Sequence, residues 1–182
     1  MVPEKINFPV IIQARLSSQR LPNKVLKKIN GIPLIEYSVN RIKTLFKNSK
    51  ILIATSNHPS DDALAAYCLE NNINFYRGSL NNVAKRMFYA AKKLKAKSFV
   101  RISGDSPLID PKVVAKGIRY SQNGVYDLVT NIFPRSYPSG QSVEIICFFR
   151  AKASTRTKPN PSLSDDKTNI EAFLISGNGF DL

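Results

Sequence analysis

Short apolar runs alternate along this chain with segments of helical period, and that alternation leaves few architectures open. Residues 8–13 (FPVIIQ) form a continuous apolar run, the pattern of a strand covered on both faces. After Gly31-Ile32-Pro33, Ile35, Val39, Ile42 and Phe46 recur at spacings of four, three and four. This predicts an amphipathic helix with Pro33 in its first turn. Residues 50–55 (KILIAT) read as a second strand. Ser60 is expected to cap the next helix, with Asp61 and Asp62 in its first turn and Leu64 and Cys68 on its inner face. A third strand over 73–76 precedes a helix from about Asn82, with Val83, Met87, Ala91 and Leu94 in register. Residues 98–102 make a fourth strand, Asp110-Pro111 suits a helix N-cap and first position, and 127–130 and 142–149 read as short strands. Alternating units of this length predict an α/β fold with a mostly parallel sheet, helices on both faces, and ligands beyond the carboxyl ends of the strands.

The 182 residues suit one domain. We place it at 1–149, incomplete at its C-terminal end, because this class continues with further regular elements. Residues 150–182 carry Pro159, Pro161, many hydroxyl side chains and no sustained period, and read as an atypical, poorly ordered tail with a short helix over 170–175. The net charge of +14 belongs to the first part: 22 basic against 9 acidic residues over 1–149, but 5 against 4 over 150–182. Charge alone leaves two readings open, an anionic partner or a lysine-rich solvated surface. Cys68 and Cys147 are too few for a disulfide framework and are not spaced like a zinc site, so they read as buried free thiols. No apolar run approaches a membrane span and residues 1–8 carry no signal pattern, so a cytoplasmic protein with no membrane partner is expected.

The chemistry concentrates after the first strand. The apolar run stops at Gln13-Ala14 and gives way to a loop with Arg15, Ser17, Ser18, Arg20 and Lys24. Cations crowded on a short loop repel one another unless a multivalent anion sits between them; arginine offers forked donors and lysine a mobile point charge. This position is the common phosphate site of α/β sheets. The alternative is an exposed loop charged for solubility. The loop matches neither the Walker pattern nor the dinucleotide-binding glycine signature, so side-chain cations carry most of the charge. Asn23, after Pro22, is expected where a turn needs positive φ. At the end of the fourth strand, Asp105 in RISGDSPLID is the best-placed hard carboxylate for Mg²⁺ bridging phosphates, whereas Asp110 is explained by capping. The lone His58 reads as a surface loop residue. Lys92, Lys93, Lys95 and Lys97 read as a solvated helix end, not as a nucleic-acid patch, because the aromatics fall mainly at core-like positions.

The segments IIQARLSSQRLPNKVLKKINGIPLIEY, YRGSLNNVAKRMFYAAKKLKAKSFVRISGDSPLID and TNIFPRSYPSGQSVEII, in that order, resemble the cytidylyltransferase family. The nearest branch is the spore-coat-polysaccharide type, related to 3-deoxy-manno-octulosonate and acylneuraminate cytidylyltransferases. The resemblance covers residues 8–149. It implies a Rossmann-like three-layer α/β/α fold of the nucleotide-diphospho-sugar transferase type. It also implies transfer of CMP from CTP to an acidic sugar, with release of pyrophosphate, in surface polysaccharide biosynthesis. By matching position, Arg15, Ser18, Arg20 and Lys24 would bind the triphosphate, with Arg15, Arg20 and Lys24 stabilising the leaving group. Asp105 would hold Mg²⁺. Gln13 and Ala14 would border base and ribose, and Arg86 and Gly104 would lie near nucleotide or sugar. Pro138 and Gly140 belong to a sugar-facing loop, with Glu144 just after it. The resemblance allows a homodimer. Asn82 and Ser142 stand where the family has Asp, and nothing after residue 150 resembles it, including the segment with a further metal-holding Asp. Two other readings stay open: a glycosyltransferase or other sugar nucleotidyltransferase of the same fold, and a catalytically impaired relic that still binds nucleotide.

Overall fold

The computed structural model describes residues 4–18, 20–122 and 126–147, and the backbone of 171–173. Strand β1 (Val10–Gln13) is followed by a small hairpin, β2 (Lys28–Ile29) and β3 (Ile32–Pro33), and by helix α1 (Leu34–Lys43). Then come β4 (Ile51–Ser56), α2 (Asp62–Glu70), β5 (Phe75–Gly78), α3 (Val83–Lys93), β6 (Ser98–Ser103) and α4 (Pro111–Gln122). Three short strands complete the order: β7 (Leu128–Thr130), β8 (Glu144–Cys147) and β9 (Glu171–Phe173).

The main sheet runs β5-β4-β1-β6-β8-β7-β9. Strands β5, β4, β1 and β6 are parallel, and β8, β7 and β9 add successive antiparallel pairings. The chain thus moves outward from β1 through β4 to β5 and then returns to the other side of β1 to lay down β6. At such a reversal the connections leave the two adjacent strands in opposite directions and open a crevice beyond their carboxyl ends. The reversal lies between Gln13 on β1 and Ser103 on β6, which are register partners.

Side-chain alternation assigns the layers. Val10, Ile12, Ile51, Ile53, Val100 and Ile102 pack with Ile35, Val39 and Ile42 of α1, Leu64 and Cys68 of α2, and Val114 and Ile118 of α4. Ile11, Leu52, Ala54 and Phe99 face the other way, onto Met87, Ala90 and Ala91 of α3. The result is a three-layer α/β/α arrangement, and the all-buried β4 follows from having both faces covered. Both cysteines are free and buried, and burial pushes the Cys68 thiol up to about 12.

Several local expectations are met and others are corrected. Asn82 caps α3 by accepting from Lys85 N at 2.8 Å, and Asp110 accepts from Lys112 N at 2.8 Å ahead of Pro111. Asn23 has φ 57°, as its turn requires. The β2–β3 hairpin is an addition: Asn30 and Gly31, at φ 50° and 80°, form the tight connection for which Asn-Gly is suited. Ser60 is not the cap of α2. A 3-10 turn (Pro59–Asp61) intervenes, and the exposed His58 ring caps it by accepting from Ser60 N at 3.2 Å. The short helix expected over 170–175 is, at Glu171–Phe173, a strand paired with β7. A three-residue segment shows no period of its own, so the open edge of β7 decides its conformation. The rest of the 150–182 tail lies outside the described residues.

Because Asp110 acts as a helix cap, replacing it should cost stability alone. Asp110→Ala is expected to lower unfolding stability by about 1 kcal/mol, read as a shift in the urea midpoint with an unchanged slope.

Candidate functional site

The loop after β1 is set by burial of two apolar residues and one carboxylate. Leu16 and Val25 are sunk in the core at 4% and 2% exposure, pinning both ends of the loop while the charged residues between them remain outside. Ser18 N and Asn23 N donate to Leu16 O at 2.9 and 3.0 Å, folding the loop back on itself. Asp61, fully buried, accepts from Leu16 N at 2.7 Å and from Ser56 N at 3.0 Å, and also accepts from the Ser56 hydroxyl. Its carboxylate therefore ties the loop to the end of β4 and is not spent on capping α2. Burial alone would raise the Asp61 pKa, but the bonds from Ser56 and Leu16 outweigh it and hold the carboxyl below the usual aspartate range.

At the β1/β6 reversal a cavity of about 550 Å³ is lined by Gln13, Ala14, Arg15, Ser17, Ser18, Arg20, Lys24, Val25, Ser103 and Asp105. Its size suits a small-molecule ligand. One wall is cationic and hydroxylic, from the β1 loop; the other carries a single carboxylate. Lys24 Nζ and Asp105 Oδ2 meet across it as an ion pair, and the Ser103 hydroxyl donates to Asp105 Oδ1. Burial pushes the Asp105 carboxyl up, but the Lys24 and Ser103 hydrogen bonds and the Lys24 charge hold it below its ordinary value, so it is ionised at neutral pH. Among the described residues neither Arg15 nor Arg20 has a carboxylate partner. Arg20 is exposed, and Arg15 reaches only Leu80 O at 3.4 Å. Cations without counter-charges beside a concave, hydroxyl-lined space are equipment for a polyanion.

Gly104 shapes the cavity without lining it. Its N–H donates to Gln13 O at 2.8 Å, and an added Cβ would stand 2.8 Å from both Ala14 Cβ and Ile35 Cδ1 and 3.1 Å from Gln13 O. Only glycine lets the turn after β6 come this close to the end of β1. Arg86 is fully buried behind the loop wall. Its Nη1 donates to Ser79 O and, at 3.3 Å, to Leu80 O, so it shares the Leu80 carbonyl with Arg15, while Nε and Nη2 have no partner. Burial lowers its pKa, and Arg15 lowers it further; Asp61 opposes and Arg101 adds to the lowering.

The structure brings together Gln13, Ala14, Arg15, Ser18, Arg20, Lys24 and Asp105 as expected neighbours. Pro138 and Gly140 are not part of this wall. They lie in a turn, with Gly140 at φ 88°, whose Gln141 side chain bridges Asp110 N and Leu108 O. Glu144 Oε2 accepts from Arg101 at 2.6 Å and does not line the cavity. By its position Asp61 looks like a helix-start acid, and no local pattern distinguishes a capping aspartate from one drawn 45 residues back along the chain. Ser103 and Arg101 escape sequence reasoning too, although their positions at and before the strand end follow from the β6 reading.

For a divalent cation the fit is specific but sparse. Among the described residues no group of three or more His, Cys, Asp or Glu converges. Asp105 with the Ser103 hydroxyl is an ionised, partly exposed oxygen donor set at the cavity rim. That suits Mg²⁺, which keeps most of its shell as water and substrate phosphate and takes one or two carboxylates from the protein.

A doubly wound α/β sheet whose strand order reverses at a cation-lined, single-carboxylate cavity defines a domain of the nucleotide-sugar transferase class of folds. The sequence profile of the cytidylyltransferase family matches residues 9–170, so the likeness extends past residue 150, beyond where the motifs of the sequence end. The chain belongs to that family. It is 32% identical over 127 residues to the spore coat polysaccharide biosynthesis protein SpsF of Bacillus subtilis, covering 66% of this chain and 53% of that one. It is 34% identical over 125 residues to the 3-deoxy-manno-octulosonate cytidylyltransferase of Rhizobium johnstonii, covering 66% and 49%. The solved structure of a cytidylyltransferase from Leptospira borgpetersenii superposes with a TM-score of 0.71 at 27% identity, over 79% of this chain and 61% of that one. The chain spans about half the length of the curated relatives it matches.

The Asp61 anchor has an acid signature. Its folded pKa lies below its unfolded one, so its contribution is complete above the ordinary aspartate range and falls away as pH drops toward the lowered value. Asp61→Asn is expected to cost about 2 kcal/mol near pH 7, and urea unfolding should show the gap to the unsubstituted protein narrowing below about pH 4. Gly104→Ala should force the β1 and β6 ends apart at a cost of about 1–3 kcal/mol, read by the same method.

Proposed function

We propose that this chain carries the nucleotide-binding part of a nucleotidyltransferase that moves CMP from CTP onto a hydroxyl of an acidic sugar. It releases pyrophosphate and works in surface polysaccharide biosynthesis. One observation carries the reading: Arg15, Arg20 and Lys24 line the cavity at the β1/β6 crevice together with the ionised Asp105, which Lys24 pairs with. That is the charge pattern a metal-bound triphosphate complements. The choice of cytosine and of an acidic sugar rests on family membership and on relatives named for 3-deoxy-manno-octulosonate cytidylyl transfer and for spore coat polysaccharide synthesis.

In this reading the triphosphate lies along the β1 loop. Arg15 and Arg20 grip non-bridging oxygens with forked donors, and the Ser17 and Ser18 hydroxyls add neutral donors. Lys24 leaves Asp105 for the phosphates. A deprotonated sugar hydroxyl attacks the α-phosphorus; its P–O bond forms as the bond to the β-phosphate oxygen breaks, and pyrophosphate leaves with that electron pair. The developing negative charge falls on atoms the arginines and Lys24 already face, so positioning and fixed charge supply the rate. Mg²⁺ at Asp105 and Ser103 would neutralise phosphate charge. The buried Arg86, through Leu80 O, holds Arg15 in line; Pro138, Gly140 and Glu144 are assigned to the sugar side on family grounds. No helix among the described residues is long and apolar enough to cross a membrane. The reading includes a cytoplasmic protein and is compatible with a homodimer.

Arg20→Ala is expected to weaken Mg·CTP binding about tenfold or more, by calorimetry, while Asp110→Ala leaves it unchanged. Competition among CTP, UTP, GTP and ATP should favour CTP, and pyrophosphate release should appear with an acidic-sugar panel. Equal nucleotide affinity in the Arg20→Ala and unsubstituted proteins would defeat the proposal.

A further inference from the structure

A second polar chain runs across the sheet beneath the cavity. Ile11 is the register partner of Arg101, so Gln13, two residues on, shares the face that Arg101 presents toward the α3 layer. Glu144 on β8 is the register partner of Arg101 on the other side. The three side chains connect across β8, β6 and β1: Arg101 donates from Nη1 to Glu144 Oε2 at 2.6 Å and from Nε to Gln13 Oε1 at 2.9 Å.

The second bond fixes an orientation. A guanidinium is a donor only, so the atom of Gln13 facing it must be the carbonyl oxygen. With Oε1 engaged, the amide plane leaves its Nε2 group as the free end. Gln13 lines the cavity, and Nε2 has no protein partner among the described residues. Without Arg101, the amide could turn either end toward the cavity; with it, only a donor is offered. Glu144 in turn holds Arg101 and supplies the counter-charge that keeps it in place on a half-buried strand.

We propose that Arg101, held by Glu144, is a positioning residue that locks the Gln13 amide with its NH₂ group toward the cavity, where it donates a hydrogen bond to an acceptor atom of the nucleoside part of the ligand. This rests on the reading of the cavity as a nucleotide site, in which Gln13 borders base and ribose, and it adds what orients the Gln13 amide, whereas the loop cations select for phosphate. It also gives Glu144 a second role, holding Arg101, beside its family-based place on the sugar side.

The test compares Mg·CTP with magnesium and inorganic triphosphate, which lacks the nucleoside, by calorimetry. Gln13→Met should weaken CTP about tenfold while triphosphate stays within about twofold. Arg101→Met combined with Glu144→Gln removes both charges together, leaving neither unpaired, and should weaken CTP about fivefold with triphosphate again unchanged. A purely structural cross-strand pair predicts a lower Tm with the same CTP-to-triphosphate affinity ratio as the unsubstituted protein; that result overturns the proposal. Should the double variant not fold, Arg101→Lys decides: it keeps a cation for Glu144 but loses the forked second donor to Gln13, so a lowered CTP-to-triphosphate ratio supports the lock while an unchanged ratio overturns it. An unsubstituted protein that binds neither ligand defeats the nucleotide reading itself, whereas normal CTP binding with an unaltered ratio in the variants defeats only the lock.

Discussion

The buried carboxylate of Asp61 is the constraint on which the cavity depends. A loop dense in cations gains nothing from its own charges and would splay in solvent; something uncharged at its surface and anionic at its root must hold it. Asp61 accepts from Leu16 N of that loop and from Ser56 N at the tip of the neighbouring strand, so one side chain joins β4 to the loop after β1. Because the acceptor is charged and its donors are backbone and hydroxyl groups, each bond is worth more than a neutral one. The loop cations inherit their geometry from this joint.

Around it the fold separates tasks by layer. The α1, α2 and α4 layer supplies bulk apolar packing through Ile35, Val39, Leu64 and Val114, and accommodates Gly104 where β1 and β6 nearly touch. The α3 layer holds the polar machinery: Arg86 behind Arg15, and Arg101 between Gln13 and Glu144. Three arginines within mutual influence on one side of a sheet, with Asp61 and Glu144 as the nearby carboxylates, leave local positive charge that the protein does not cancel by itself. The polyanion of the proposed function would complete that balance.

Most of the architecture was legible in the sequence because the signals were local. Continuous apolar runs gave the parallel strands, three- and four-residue spacing gave α1 and α3, and Asp110-Pro111 gave the start of α4. The cationic loop and Asp105 were legible for the same reason, since both abut strand ends. What escaped depended on distance. Asp61 looks like a first-turn acid until Leu16 claims it, and Arg101 looks like an ordinary strand residue until Gln13 and Glu144 flank it. Asn30-Gly31 was a local signal passed over, masked by the helix that follows. Strand β9 has too few residues to declare a period, and only the open edge of β7 gives it one.

The Lys24–Asp105 pair has a final consequence. In the free protein each group satisfies the other, so neither is idle. In the proposed reading, phosphate that recruited Lys24 would strip Asp105 of its cation, and a metal ion held by Asp105 would release Lys24 for phosphate. Each would lower the cost of the other, and by reciprocity the coupling would be equal in both directions. Anion and metal would then be cooperative partners, each displacing half of a placeholder that the protein supplies from its own side chains.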